Sequence, residues 1–124
     1  MGQWLLIAFA GAMGTLARYS LTGMVHRVVG SGFPWGTALV NVLGSFLFGV
    51  IWSLAEGRLA LTPQTRAIVL TGFMGAFTTF STFMFETSGL MRDAQWTWAL
   101  GNVALHVVIG LVCLFAGLAI GQLM

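Results

Sequence analysis

The sequence predicts an all-α integral membrane protein built from four transmembrane helices. Three observations predict it. Hydrophobic residues make up 58% of the chain and charged residues only 6%, whereas a soluble domain carries about a quarter charged residues. Four apolar stretches each approach or exceed the roughly 20 residues needed to cross the hydrocarbon. The breaks between those stretches are short and rich in turn-forming residues. With so few charges a soluble fold could not cover its own surface, so lipid is the solvent.

The first span is expected from about Trp4 to Val25. Ala8-Phe9-Ala10 resembles a signal-peptide cleavage site, but Gly2 and Gln3 supply no positive leader and the helix continues well past it. The first span is therefore expected to stay in the mature protein. Gly30-Ser31-Gly32-Phe33-Pro34 reads as a turn, with Pro34 where a helix can begin. The second span follows from about Trp35 to Leu54. The longest connection runs from Glu56 to Pro63, and the third span from about Ala67 to Leu90. Arg92-Asp93-Ala94-Gln95 reads as a tight hairpin into a fourth span from about Trp96 to Leu123, whose Trp96 and Trp98 suit an interfacial belt. Residues 1–124 thus form a single four-helix transmembrane domain.

The charge of +2 rests on scattered arginines with no lysine and no basic run, which argues against a nucleic-acid surface. It is compatible with an anionic ligand. Cys113, the single cysteine, excludes an intramolecular disulfide and reads as a small buried hydrophobe. The termini and second loop share one side of the membrane and carry Arg58 and Arg66. The first and third loops share the other and carry Arg27 and Arg92. Such balance gives almost no orientation preference. Charge alone leaves two outcomes: copies inserted both ways up, able to pair about a two-fold axis in the membrane plane, or one topology set by Arg18.

The third span carries the least ordinary chemistry. It reads Thr71-Gly72-Phe73-Met74-Gly75-Ala76-Phe77-Thr78-Thr79-Phe80-Ser81-Thr82-Phe83 and then reaches Glu86. Gly72 and Gly75 weaken a helix, and the clustered hydroxyls compete for nearby carbonyls. A helix broken near its middle follows. Irregular backbone at that depth survives only when buried in protein or lining a cavity. Freed carbonyls are hard oxygen ligands, suited to an alkali cation. The plainer alternative is that glycines and hydroxyls merely let helices pack closely. Phe80 and Phe83 share a helical face, and phenyl edges are electropositive; a phenylalanine stripe is otherwise ordinary core or lipid contact.

In the second span Asn41 brings two amide protons that lipid cannot satisfy. Thr37 and Ser45 stand four residues either side of it, making a polar stripe; interhelical glue is the alternative role. Arg18 falls deep in the first span, where a charge costs ~3 kcal/mol on insertion scales. It should face an aqueous vestibule and concentrate anions, or tie to Glu86 or a backbone carbonyl. Asn102 and His106 share a face of the fourth span, as a hydrogen-bonded pair or, less simply, a proton relay. Gly117 and Gly121 form a GxxxG packing signal.

These segments together resemble the Fluc (CrcB) fluoride channels over nearly the whole chain. Gly11-Ala12-Met13-Gly14-Thr15-Leu16-Ala17-Arg18-Tyr19 resembles the family's first helix. Gly36-Thr37, Val40-Asn41 and Gly44 resemble its second. The string from Gly72 to Phe83, with Glu86, resembles its third and is the most specific of the three. The resemblance implies an antiparallel, dual-topology homodimer with two pores, exporting fluoride passively across the bacterial inner membrane. It implies that Asn41 donates to the ion, that Phe80 and Phe83 line the pores, and that Ser81 and Thr82 supply hydroxyls. Gly75 and Thr78 would give main-chain oxygens to a structural Na⁺, Arg18 would sit at a vestibule, and Glu86 near the pore. Family members often carry a hydroxyl track on the fourth helix; here His106, Gly110 and Leu114 occupy that register, so only His106 could serve.

Fluoride is small and tightly hydrated, so a pore must replace its water with close donors, which amide, hydroxyl and ring-edge protons can do. The rival expectation is a small dimeric proton-coupled multidrug antiporter, for which Glu86 is the one available acid within a span. A non-transporting assembly subunit is the third. No enzyme is expected, since the sequence holds no metal-ligand cluster, no nucleophile with a base and no phosphate loop.

Overall fold

Backbone polar groups have no water partner inside a bilayer, so a chain this apolar has to satisfy them within helices. The computed structural model, which describes residues 1–124, does so with four long helices. These are α1 (Gly2–Val29), α2 (Trp35–Glu56), α3 (Pro63–Arg92) and α4 (Trp96–Leu123), each long and apolar enough to cross a membrane. The helices outrun the apolar spans read from sequence. α1 extends beyond Val25, α2 beyond Leu54, and α3 at both ends, because helical pairing continues into the interface after the apolar residues stop. Pro63 belongs to α3 rather than to the preceding loop. Thr62 caps that helix, its side chain accepting from the Thr65 amide, with Pro63 in the first turn where its missing N–H costs nothing.

The turns follow local chemistry. Gly30 ends α1 at φ 81°, a left-handed conformation that glycine adopts without strain. After α3, Ala94 takes φ 57° in the hairpin before α4.

Glycine sets how closely the helices approach. A Cβ on Gly117 would overlap the Phe46 carbonyl, and one on Gly49 the Leu114 carbonyl, so α2 and α4 meet backbone to backbone. The GxxxG signal on α4 is this seam. α1 meets α3 in the same way, Gly14 lying against the Phe73 carbonyl and Gly72 against Ile7 and Ala10. Without a hydrophobic force between helices in lipid, this close packing supplies the attraction.

A small core of Val40, Leu70, Met74 and Phe77 fills the centre, and Phe33, Leu90 and Ala99 form a second cluster near the first and third loops. Two stretches widen to π-helix, Ala67–Met74 in α3 and Leu105–Ile109 in α4. Such turns are rare and often sit at functional sites. The second contains His106.

Candidate functional site

Within α3, Thr78 (φ −89°, ψ 158°) and Thr79 (φ −150°, ψ 112°) are extended. Hydroxyls shape both sides of this point. Thr78 Oγ1 donates to the Met74 carbonyl at 3.0 Å, closing the preceding turn. Thr79 Oγ1 accepts from the Thr82 amide at 3.3 Å, capping the helical turn that begins at Phe80.

Extended backbone leaves Thr79 with a main-chain donor and acceptor to satisfy at membrane depth. Asn41 on α2 takes both. Its Oδ1 accepts from the Thr79 amide at 2.8 Å, and its Nδ2 donates to the Thr79 carbonyl at 3.0 Å. A primary amide has the right shape, carrying donor and acceptor side by side. The bridge uses one of the two Nδ2 protons. In a regular helix the Thr79 amide would bond to the Gly75 carbonyl; here it goes to Asn41. The Ala76 carbonyl accepts from Arg18 Nε at 2.9 Å. Arg18 thus has a backbone carbonyl as a partner and also lines the smaller of two cavities beside this segment.

Two cavities flank the bridge. The larger, of about 460 Å³, is lined by Asn41, Ser45, Thr78, Thr79, Phe80, Phe83, His106 and Leu114 among others. The smaller, of about 230 Å³, is lined by residues with polar side chains, Arg18, Thr37, Thr79, Thr82 and Glu86, with Thr15, Tyr19 and Thr22 from α1. Thr79 borders both. In the smaller one Thr37 Oγ1 donates to Glu86 Oε1 at 2.8 Å, while Glu86 Oε2 is buried without a partner.

Aromatic rings form one wall of the larger cavity. Phe83 lies flat on His106, with centroids 3.9 Å apart and planes at 17°, and meets Phe80 edge-on at 5.8 Å. The two phenylalanines differ in cover. Phe83 is 5% exposed and Phe80 is 73% exposed, so its own protomer does not bury Phe80.

Residues 5–118 match the family described as CrcB-like protein, Camphor Resistance (CrcB). The chain belongs to the CrcB family. Among the relatives of this CrcB-family chain, one from Solidesulfovibrio magneticus is 56% identical over 117 residues, covering 94% of each chain. Another from Nitrosococcus oceani is 57% identical over 121 residues, again 94% of each. A third from Nitratidesulfovibrio vulgaris is 48% identical over 123 residues and 99% of each. All three carry the name fluoride-specific ion channel FluC. Family and helices together make this a multi-pass protein of the bacterial inner membrane.

The residues singled out from sequence divide into three groups. Asn41, Thr78, Phe80, Phe83 and His106 come together at the larger cavity, and Arg18, Thr37 and Thr82 at the smaller. Ser81 and Gly75 line neither and are exposed on the protomer. Sequence reasoning passed over the main chain of Thr79, which a side-chain reading does not see. It also passed over Thr87, buried and donating to the Phe83 carbonyl at 2.7 Å. Thr15 and Thr22 gave a usable signal, standing with Arg18 three or four residues apart on one face of α1. Where the fourth-helix register lacks a hydroxyl at Gly110, Ser45 of α2 stands alongside, its Oγ 3.8 Å from where a Cβ would lie.

Proposed function

We propose that this chain is a fluoride-selective channel that lets the ion leave the bacterial cytoplasm down its gradient. The carrying observation is the Asn41–Thr79 bridge at membrane depth, beside hydroxyls and phenyl rings that line cavities. Polar backbone in such a place persists only where it is buried in protein or borders a path. The names of relatives around half identical over nearly the full chain support the same reading.

In this reading α3 works as two half-helices meeting at Thr78 and Thr79. The uncommitted Nδ2 proton of Asn41 donates to fluoride, and the hydroxyls of Ser81 and Thr82 continue the path. Thr37 joins by turning its hydroxyl away from Glu86. Phe80, Phe83 and the His106 ring line a narrow, low-dielectric wall whose edges face the ion. Arg18 holds positive charge at the smaller cavity and raises the local anion concentration. A chloride ion is too large for donors set at fluoride distance.

The working unit is an antiparallel homodimer with two pores. Ser81, exposed on the protomer, has a hydroxyl that lipid cannot satisfy, and protein that covered it would also cover its neighbour Phe80, 73% exposed. The balance of Arg58 and Arg66 against Arg27 and Arg92 suits insertion in both orientations.

A structural Na⁺ fits the donors at the irregular segment. The Thr79 amide turns to Asn41 and the Thr82 amide to Thr79 Oγ1, which releases the carbonyls of Gly75 and Thr78 from their helical partners. These are hard oxygens suited to an alkali ion, and two copies would double the set. When bound, the ion supplies positive charge that holds those carbonyls in place.

Proton-coupled antiport is not favoured by the family match. Fluoride efflux from proteoliposomes, followed with an ion-selective electrode, tests the proposal. Rapid fluoride release with chloride retained and no imposed proton gradient is the expected result. Equal leakage of the two halides ends it.

A further inference from the structure

Phe83 and His106 come from different helices, and neither ring is held by the cavity it lines. Behind them lies a closed circuit of contacts. Asn102 Nδ2 donates to Thr87 Oγ1 at 2.9 Å, and Thr87 Oγ1 donates to the Phe83 carbonyl at 2.7 Å. The Phe83 ring stacks on His106 with centroids 3.9 Å apart. His106 Nδ1 returns to the Asn102 carbonyl at 2.9 Å. Asn102 is 0% and Thr87 4% exposed, and neither borders either cavity.

The direction of the last bond follows from chemistry. A carbonyl oxygen can only accept, so Nδ1 carries the hydrogen. A neutral imidazole has one N–H, and the nitrogen opposite is then a bare lone pair. Nε2 is buried and has no partner, so no other group calls the hydrogen there. Neutral His106 therefore offers an anion no N–H. What it offers is a ring, stacked flat on Phe83 and extending the aromatic wall that Phe80 begins.

We propose that the Asn102 carbonyl holds His106 as the Nδ1–H tautomer, and that Thr87 and Asn102 are positioning residues whose side-chain bond ties α3 to α4 and so keeps that ring stacked on Phe83, where it serves the path as an aromatic wall and not as a donor. This rests on the fluoride-channel reading, but its spectroscopic arm does not. At metal-bound histidines, partners behind the ring fix its tautomer and orientation and losing one costs on the order of tenfold or more in function; the same order is expected for this ring. Thr87 is the joint of the circuit, because its single hydroxyl accepts from Asn102 and donates to Phe83.

The test uses the full chain in lipid bilayers, labelled with ¹⁵N-histidine and carrying His26→Gln, which removes the only other histidine. Solid-state NMR should show His106 with Nδ1 protonated and Nε2 bare, and its ring protons shifted upfield by the Phe83 ring. Thr87→Val should lower fluoride efflux about tenfold and relieve the upfield shift. Thr87→Ser, which keeps the hydroxyl, should restore both. A spectrum with Nε2 protonated overturns the proposal, and needs no variant to fold. So does Thr87→Val with the wild-type spectrum or wild-type efflux. Wild-type protein without fluoride efflux would instead sink the channel reading and leave the tautomer result standing.

Discussion

Replacing Asn41 by alanine removes both hydrogen bonds to the Thr79 main chain, at 2.8 and 3.0 Å. Two magnitudes bear on the cost. A buried polar group left unpaired costs about 1–3 kcal/mol, so two stranded groups would cost about 2–6 kcal/mol. Side-chain hydrogen bonds between membrane helices average only about 0.6 kcal/mol, because the unfolded state in the bilayer finds other partners. Here the other partner is specific: α3 can close into a continuous helix and return the Thr79 amide to the Gly75 carbonyl. That escape is opposed by the Thr79 cap on the following turn and by Gly44, where Thr78 and Phe77 already pack against α2. The loss should fall between the limits, at about 2–3 kcal/mol. Asn41→Asp keeps the acceptor for the Thr79 amide but sets an oxygen against its carbonyl, and should lose at least as much. Tryptophan fluorescence during denaturant titration in mixed micelles measures the difference, with fluoride efflux recorded on the same preparations. An Asn41→Ala protein within about 0.5 kcal/mol of wild type, below even one average membrane hydrogen bond, would refute the bridge as a structural element.

Three further outcomes are expected. Gly117→Val should destabilise the protein by about 3 kcal/mol or more, since overpacking alone costs 1–3 kcal/mol and here the clash is with the Phe46 backbone; loss of a monodisperse peak on size exclusion reports it. Thr37→Val removes a hydroxyl of the proposed path and should slow fluoride efflux by up to about tenfold, the equivalent of one hydrogen bond at about 0.5–1.5 kcal/mol, whereas Thr37→Ser, which keeps the hydroxyl, should remain close to wild type. Phe80→Ala should reduce fluoride efflux and leave the protomer's helical content unchanged by circular dichroism, any loss of stability appearing as weaker dimerisation on size exclusion, because the side chain is 73% exposed on its own protomer.

The four helices were legible because composition and hydropathy report directly on solvation, and lipid leaves a strong mark on both. Their ends were less so, since Thr62-Pro63 lies outside the apolar run and speaks through capping instead. At the site, unusual residue types at depth drew attention to Asn41, Phe80 and Phe83 one by one, and only the family resemblance put the three together. Sequence alone left Asn41 open between the ion path and interhelical glue, with ion donation implied by the family resemblance, and did not show its main-chain partner, because an amide's preference for a nearby extended backbone has no sequence period. Arg18 was open between a vestibule, an acid and a carbonyl; only packing of α1 on α3 through Gly14 and Gly72 brings the Ala76 carbonyl within reach. Thr87 escaped notice because a lone threonine in a helix usually bonds its own preceding turn, and its second contact comes from a residue on α4.

The Asn41 bridge also bears on the order in which the molecule is made. A span entering lipid alone must close every main-chain group on itself, so α3 first enters as an unbroken rod. It can open at Thr79 only once a foreign carboxamide is alongside, and α2, which supplies it, leaves the ribosome earlier. The opening is thus expected to be a late event of assembly, made by docking one finished helix against another. A chain in which these two spans were expressed in the reverse order would have to hold Thr79 in the helix until its carboxamide partner arrived.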